Sequence, residues 1–172
     1  TRRHLSEDRL AEVACTPFRG APHARVLIGG LGLGFTLRAA LRQLRDDAEV
    51  VVAELVAEVI AWNANPAYDL SAAAMRDPRV RVLHDDVINV LRTNPGGFDA
   101  IMLDTDNGPD GMLLSENAPL YAMRGIGITV AALRAAGLAD RAGVEAAIAA
   151  VRASLVKEHP DVTFTAQVRE DS

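Results

Sequence analysis

Arg25-Val-Leu-Ile-Gly-Gly-Leu-Gly-Leu-Gly-Phe-Thr-Leu37 runs from an apolar stretch through four glycines in six positions into a helical pattern. That order reads as a strand, a tight turn and a helix start. Glycines there permit positive φ and let a ligand approach the main chain, and the following helix aims unpaired N–H groups into the same space. The dinucleotide fingerprint wants glycines at i, i+2 and i+5. Gly30 and Gly32 match its first two positions, but the third falls on Phe35; counted from Gly32 and Gly34 it falls on Leu37. The remaining pattern, Gly-Gly-x-Gly-x-Gly from Gly29, suits a ligand without a pyrophosphate. A strand–helix turn with no ligand is the alternative, at a cost in backbone entropy.

Outward from this turn, strands and helices alternate. The first strand covers Ala24 to Ile28, and a helix from Gly34 to Arg45 buries Leu37, Leu41 and Leu44. Glu49-Val-Val-Val-Ala-Glu54 is an unbroken apolar run, as expected of a strand covered on both faces. A helix from Val56 stops at Asn65-Pro66, and residues 67–78 read as loop. Arg79 to His84 is a third strand, Val87 to Arg92 a short helix, and Phe98 to Asp104 a fourth strand. A helix capped by Ser6 and ending near Cys15 precedes the set. Beyond it come helices over Ala118–Ala136 and Asp140–Glu158 and an edge strand, antiparallel, over Val162–Val168. This alternation predicts an α/β fold with a doubly wound, mostly parallel sheet, as a single domain over residues 1–172. Ligands on such sheets bind at the carboxyl ends of the strands. Those ends carry Gly29 to Gly34, Glu54, Asp85 and Asp86, and Asp104 to Asn107.

Composition narrows the partners. The formal net charge is −5 and the pI near 5.3, which disfavours nucleic acid. No apolar run approaches the roughly 20 residues that span a bilayer, and no secretory signal precedes the first element. The single cysteine, Cys15, fits a reducing compartment, so a cytoplasmic location is expected. His4, His23, His84 and His159 are scattered, no metal site is expected, and no Ser/His/Asp arrangement is evident.

The strand ends suggest chemistry. Glu54 is placed to accept hydrogen bonds from both hydroxyls of a ribose; a solvated strand-end carboxylate is its plain alternative. Asp86 suits an adenine amino group, with the Val87 N–H beside the ring, but Asp85 or Asp86 would equally cap the next helix. Asp104 and Asp106 flank Thr105. A lysine-like amine has a pKa of about 10 and must lose a proton before it attacks carbon. A carboxylate within reach can orient the ammonium and take that proton; a polar loop start is the alternative. Trp62 and Tyr68 flank the loop after the second helix, where packing explains them as well as a ligand does.

Val26 to Gly34, Val50 to Glu54, Asp77-Pro-Arg-Val-Arg-Val-Leu-His-Asp-Asp86 and Phe98-Asp-Ala-Ile-Met-Leu-Asp104 together resemble the spermidine synthase family, in particular its short bacterial branch. The resemblance covers roughly residues 1–125. It implies the Rossmann-like class I S-adenosylmethionine-dependent methyltransferase fold. It also implies decarboxylated S-adenosylmethionine, or S-adenosylmethionine itself, as cofactor, a small amine as substrate and aminopropyl transfer as reaction. By that likeness Gly29, Gly30, Gly32 and Gly34 line the methionine-derived part of the cofactor. Glu54 holds the ribose, Asp86 the adenine, and Asp104 activates the amine.

The chain also departs from the family. Asp-Ser-Ser-Asp-Pro becomes Asp104-Thr-Asp-Asn-Gly-Pro109, so Asn107 stands at the second amine-anchoring position and Asp106 is displaced by one. The family's N-terminal β-hairpin domain is absent. After Gly137 an alanine-rich helix replaces the expected fifth strand, making the C-terminal part atypical. The turn has no arginine beside it for a cofactor carboxylate, which leans towards the decarboxylated form. Methyl transfer, or an adenosyl-ligand-binding or assembly module without catalysis, are the alternatives, with a homodimer as the candidate assembly. A nicotinamide-dependent oxidoreductase fits Glu54 but not the glycine spacing.

Overall fold

The computed structural model describes residues 5–68, 70–104 and 123–133. Ten elements follow in order: α1 (Leu5–Cys15), β1 (Arg25–Gly29), α2 (Phe35–Gln43), β2 (Glu49–Glu54), α3 (Ala57–Ala64), α4 (Ala72–Met75), β3 (Val80–His84), α5 (Val87–Thr93), β4 (Ala100–Leu103) and α6 (Met123–Ala132). The four strands pair in parallel in the order β3-β2-β1-β4. β1 and β4 are neighbours although far apart in sequence, so the strand order reverses beside β1. That reversal is where a doubly wound sheet opens a crevice.

Successive strand residues face opposite sides of a sheet, and the core divides accordingly. Val26, Ile28, Val50, Val52, Ala100 and Met102 pack with Ala11, Cys15, Leu37 and Ala40 of α1 and α2. Leu27, Val51, Ala53, Ile101 and Leu103 pack with Val87, Val90 and Leu91 of α5 and Ala132 of α6. Both faces are covered, which is why β2 reads as one continuous apolar run. Burial of a side chain of this size stabilises by about 1.5–3 kcal/mol each.

The expected elements form, with local differences. α1 begins at Leu5, so Ser6 lies inside its first turn, with its hydroxyl bonded to Glu7, rather than before it as a cap. The expected loop at 67–78 contains α4, and a 3-10 turn over Pro66–Tyr68 precedes it; four residues of Ala-Ala-Ala-Met are too short for a periodic signal. β4 starts at Ala100, and Phe98 instead bridges in parallel to Leu133 at the end of α6. The helix expected over Ala118–Ala136 is present from Met123 to Ala132; the Asp140–Glu158 helix and the Val162–Val168 strand lie outside the described residues. No helix among the described residues is long and apolar enough to cross a membrane.

Candidate functional site

Register brings the expected strand ends together. Gly29 pairs with Ala53 on one side and Leu103 on the other, and Glu54 pairs with His84. Beyond these pairs the Gly30 N–H donates to Ala53 O at 2.8 Å, the Asp104 N–H to Gly29 O at 2.7 Å and the Asp85 N–H to Glu54 O at 3.2 Å. Gly30, Glu54, Asp85 and Asp104 therefore stand at the same carboxyl edge of the sheet.

The glycine turn is held from beneath by side chains. Buried Glu54 bridges two loops: one carboxylate oxygen accepts the Leu31 N–H at 2.8 Å and the other the Val56 N–H at 2.8 Å. It is thus not a solvated strand-end carboxylate. Asn63, on α3, donates to Gly32 O at 2.8 Å and to Val59 O at 2.9 Å, and accepts from Ser71 Oγ at 2.6 Å. Asn63 and Ser71 are 1% and 2% exposed, so these bonds exclude water. Gly34 has φ +73°, and a Cβ there would stand 2.3 Å from Ser71 Cβ. A Cβ on Gly29 would stand 2.8 Å from Val87 Cγ2; the absent side chain lets α5 close onto β1. A Cβ on Gly32 would meet nothing within 4 Å, so at that residue the turn faces open space.

At β3 the Asp86 side chain caps α5 by accepting the Ile88 N–H at 2.8 Å through Oδ1, which satisfies one of the orphan donors of a helix start. Asp85 is exposed and accepts from the Asp86 N–H at 2.7 Å and the Asn89 side chain at 3.2 Å. Val87 is buried under Gly29. His84 meets Leu55 O at 3.0 Å, and among the described residues no group of three His, Cys, Asp or Glu is arranged to hold a metal. At β4 half-buried Asp104 accepts a hydrogen bond at Oδ2 from Thr36 Oγ1, 2.5 Å away. Asp106 and Asn107 lie outside the described residues. Leu33, Leu55, Val56, Trp62 and Tyr68 are exposed apolar residues, Trp62 and Tyr68 at 54% and 57%. Arg38, on α2 just after the turn, stacks on Phe35 at 4.5 Å and donates to Leu70 O at 3.1 Å.

Three residues of this arrangement escape sequence reasoning. Asn63 has a faint signal, as a polar residue in the otherwise largely apolar Ala57–Ala64 helix. Thr36 is a β-branched hydroxyl in a first helical turn, which reads as ordinary. Ser71 carries no signal.

No protein-family profile matches the chain. Among curated proteins, the polyamine aminopropyltransferase of Mycobacterium tuberculosis is 34% identical over 116 residues, 66% of this chain and 21% of that protein. The chain thus spans about a fifth to a third of the length of the curated polyamine aminopropyltransferases it matches. Among solved structures, spermidine synthase in complex with the transition state analogue AdoDATO superposes with a TM-score of 0.59 at 22% identity, over 77% of this chain and 40% of that one. A Methanococcus maripaludis protein assigned to the S-adenosyl-L-methionine-dependent methyltransferases superposes with a TM-score of 0.50 at 14% identity, over 91% of this chain and 67% of that one. The resemblance carried by the four strand-end motifs holds, and the fold is the Rossmann-like one of these enzymes: in sequence the chain is similar to the polyamine aminopropyltransferases, and in architecture to spermidine synthase.

Proposed function

We propose that this chain is the cofactor-binding domain of an aminopropyltransferase that alkylates a small amine, with decarboxylated S-adenosylmethionine as donor. The observation that carries the reading is the convergence of the glycine turn, buried Glu54 and Asp104 at one sheet edge, in a chain similar in sequence to polyamine aminopropyltransferases. The residues fit an adenosyl group. Each Glu54 oxygen takes one backbone N–H and, having two lone pairs, keeps capacity for a ribose hydroxyl. The cap on α5 uses Asp86 Oδ1, which leaves Oδ2 for an adenine amino group beside the Val87 N–H; exposed Asp85 flanks it. The open side of Gly32 admits the methionine-derived arm along Gly29, Gly30 and Gly34. Arg38 is engaged with Phe35 and Leu70 rather than turned to a carboxylate, which supports the decarboxylated donor over S-adenosylmethionine.

When bound, the sulfonium supplies the electrophilic carbon and keeps the electron pair of the breaking carbon–sulfur bond. The protein's part is placement and proton transfer. Asp104 draws the ammonium form in, orients it and accepts its proton, so the free amine pair forms the new carbon–nitrogen bond. By the sequence resemblance Asp106 assists Asp104 in neutralising and deprotonating the amine, and Asn107, at the family's second amine-anchoring position, binds it. The reading treats residues 1–172 as one domain, places it in the cytoplasm in line with its single cysteine, and allows a homodimer.

The test is the full chain with decarboxylated S-adenosylmethionine and 1,4-diaminobutane, scored by release of 5′-methylthioadenosine. Turnover is expected, and Asp104→Asn is expected to lower it by about 100-fold or more while leaving donor binding by calorimetry intact. Binding of both donors without product from a panel of di- and polyamines would instead favour a non-catalytic module; preference for the carboxylated donor would favour methyl transfer.

A further inference from the structure

Thr36 is 2% exposed and sits in the first turn of α2, directly after the glycine turn. A buried hydroxyl without a partner is costly, and threonine in a helix commonly relieves this by bonding a carbonyl one turn back. Thr36 instead donates across to β4, to Asp104 Oδ2. A valine would fill the same space in a buried helical position with no hydroxyl to satisfy, so the hydroxyl is explained by what it touches. The main chain of Asp104 is anchored as well, by its N–H on Gly29 O at 2.7 Å. Asp104 is therefore tied to both sides of the glycine turn, to Gly29 at its start through the backbone and to Thr36, in the helical turn that follows its last glycine, through the carboxylate.

We infer that Thr36 is a positioning residue for Asp104: its hydroxyl sets the rotation of the carboxylate and so aims the acceptor lone pairs at the incoming amine. The inference rests on the reading of Asp104 as proton acceptor. It adds a role for the segment after the glycines. The same turn that receives the donor also orients the group that activates the acceptor, so donor site and amine site are built as one unit. A misplacement of about 1 Å at a reacting group costs on the order of 100-fold in rate, which sets the size of the expected effect.

Thr36→Val, Thr36→Ser and Asp104→Asn in the full chain separate the possibilities, with decarboxylated S-adenosylmethionine and 1,4-diaminobutane as probes. Thr36→Val is expected to lose about 10- to 100-fold in kcat with the donor KM unchanged, and Thr36→Ser to recover most of that loss. Crystal structures of the two threonine variants give a readout apart from turnover: the Asp104 carboxylate rotates away in Thr36→Val and returns to its place in Thr36→Ser. If Asp104→Asn abolishes turnover while Thr36→Val keeps full kcat and an unmoved carboxylate, the inference is overturned and the reading of Asp104 survives. A serine variant as impaired as the valine one also overturns it, because the hydroxyl is then not the cause. If Asp104→Asn keeps full turnover, or the wild type forms no product, it is the catalytic reading that fails. The carboxylate's orientation in the two crystal structures then decides alone whether Thr36 positions Asp104.

Discussion

At Gly34 an added methyl group faces two penalties at once, a φ of +73° and a Ser71 side chain already inside contact distance. At Gly32 it faces only the first, because φ is +50° and nothing lies within 4 Å. Positive φ costs a non-glycine residue about 1–2 kcal/mol, and a forced clash in a packed site adds about 2 kcal/mol. Gly34→Ala is therefore expected to destabilise by about 2 kcal/mol more than Gly32→Ala in urea unfolding. Donor binding should respond the other way round, with Gly32→Ala folding well but weakening binding measured by calorimetry. Equal stability losses would mean that Ser71 yields freely. The four glycines announce a crowded turn in the sequence, but not which of them serves packing and which faces open space. That distinction depends on Ser71 and Asn63, which arrive from α4 and α3. Asp86 shows the same division: its place at a strand end is plain from spacing, whereas its use as the α5 cap shows only in the fold.

Elements are tied at their ends by charged side chains with particular targets. The Arg79 guanidinium donates to Leu41 O, Leu44 O and Arg45 O at 3.1, 3.0 and 3.3 Å, closing the carbonyl end of α2. Asp77 holds that guanidinium in a forked pair, with Nε and Nη2 donating at 2.9 and 2.8 Å. The side chains are 13% and 22% exposed, so solvent screens them only in part. The hydrogen bond from Arg79 holds the Asp77 carboxyl below the usual carboxylate range, against the opposing effect of burial. Its folded pKa is thus lower than its unfolded value of about 3.9. The contribution to stability is complete above that unfolded value and disappears as pH falls through the lower folded one. Asp77→Asn should therefore cost on the order of 1 kcal/mol near neutrality, with the gap to wild type closing in acid. Denaturant titrations at neutral and at strongly acidic pH check this; a gap that widens in acid would reverse the assigned sign. Strand and helix positions were legible here because apolar runs and helical spacing are local signals. The Arg79 cap was not, since it joins residues more than thirty positions apart.

For the molecule as a whole, the sheet has two buried faces, and Cys15 lies at 0% exposure in the core on the α1 and α2 side. Burial pushes its thiol up to about 12, only partly opposed by Arg19. Thiolate is the reactive form, so folded protein should resist a thiol reagent such as Ellman's at mildly alkaline pH and react fully once denatured. Fast reaction of the folded chain would show that α1 opens readily. The doubly wound architecture follows from sequence because β1, β2 and β4 carry unbroken apolar runs, Val26–Ile28, Val50–Ala53 and Ala100–Leu103, which suit a sheet covered on both faces. The candidate site is legible in part: the strand ends identify Glu54, Asp86 and Asp104, while Thr36, Asn63 and Ser71 matter through contacts between elements. The account's central claim is that these strand ends form an adenosyl-donor site. Calorimetry of the wild-type chain with decarboxylated S-adenosylmethionine and with S-adenosylmethionine, repeated on Glu54→Gln, tests it most directly. The account predicts saturable one-to-one binding of the decarboxylated donor, tighter than that of the carboxylated one, and at least about tenfold weaker in Glu54→Gln, a loss of about 1.4 kcal/mol. Absence of binding by either donor, or a folded Glu54→Gln variant that binds as well as wild type, would contradict it.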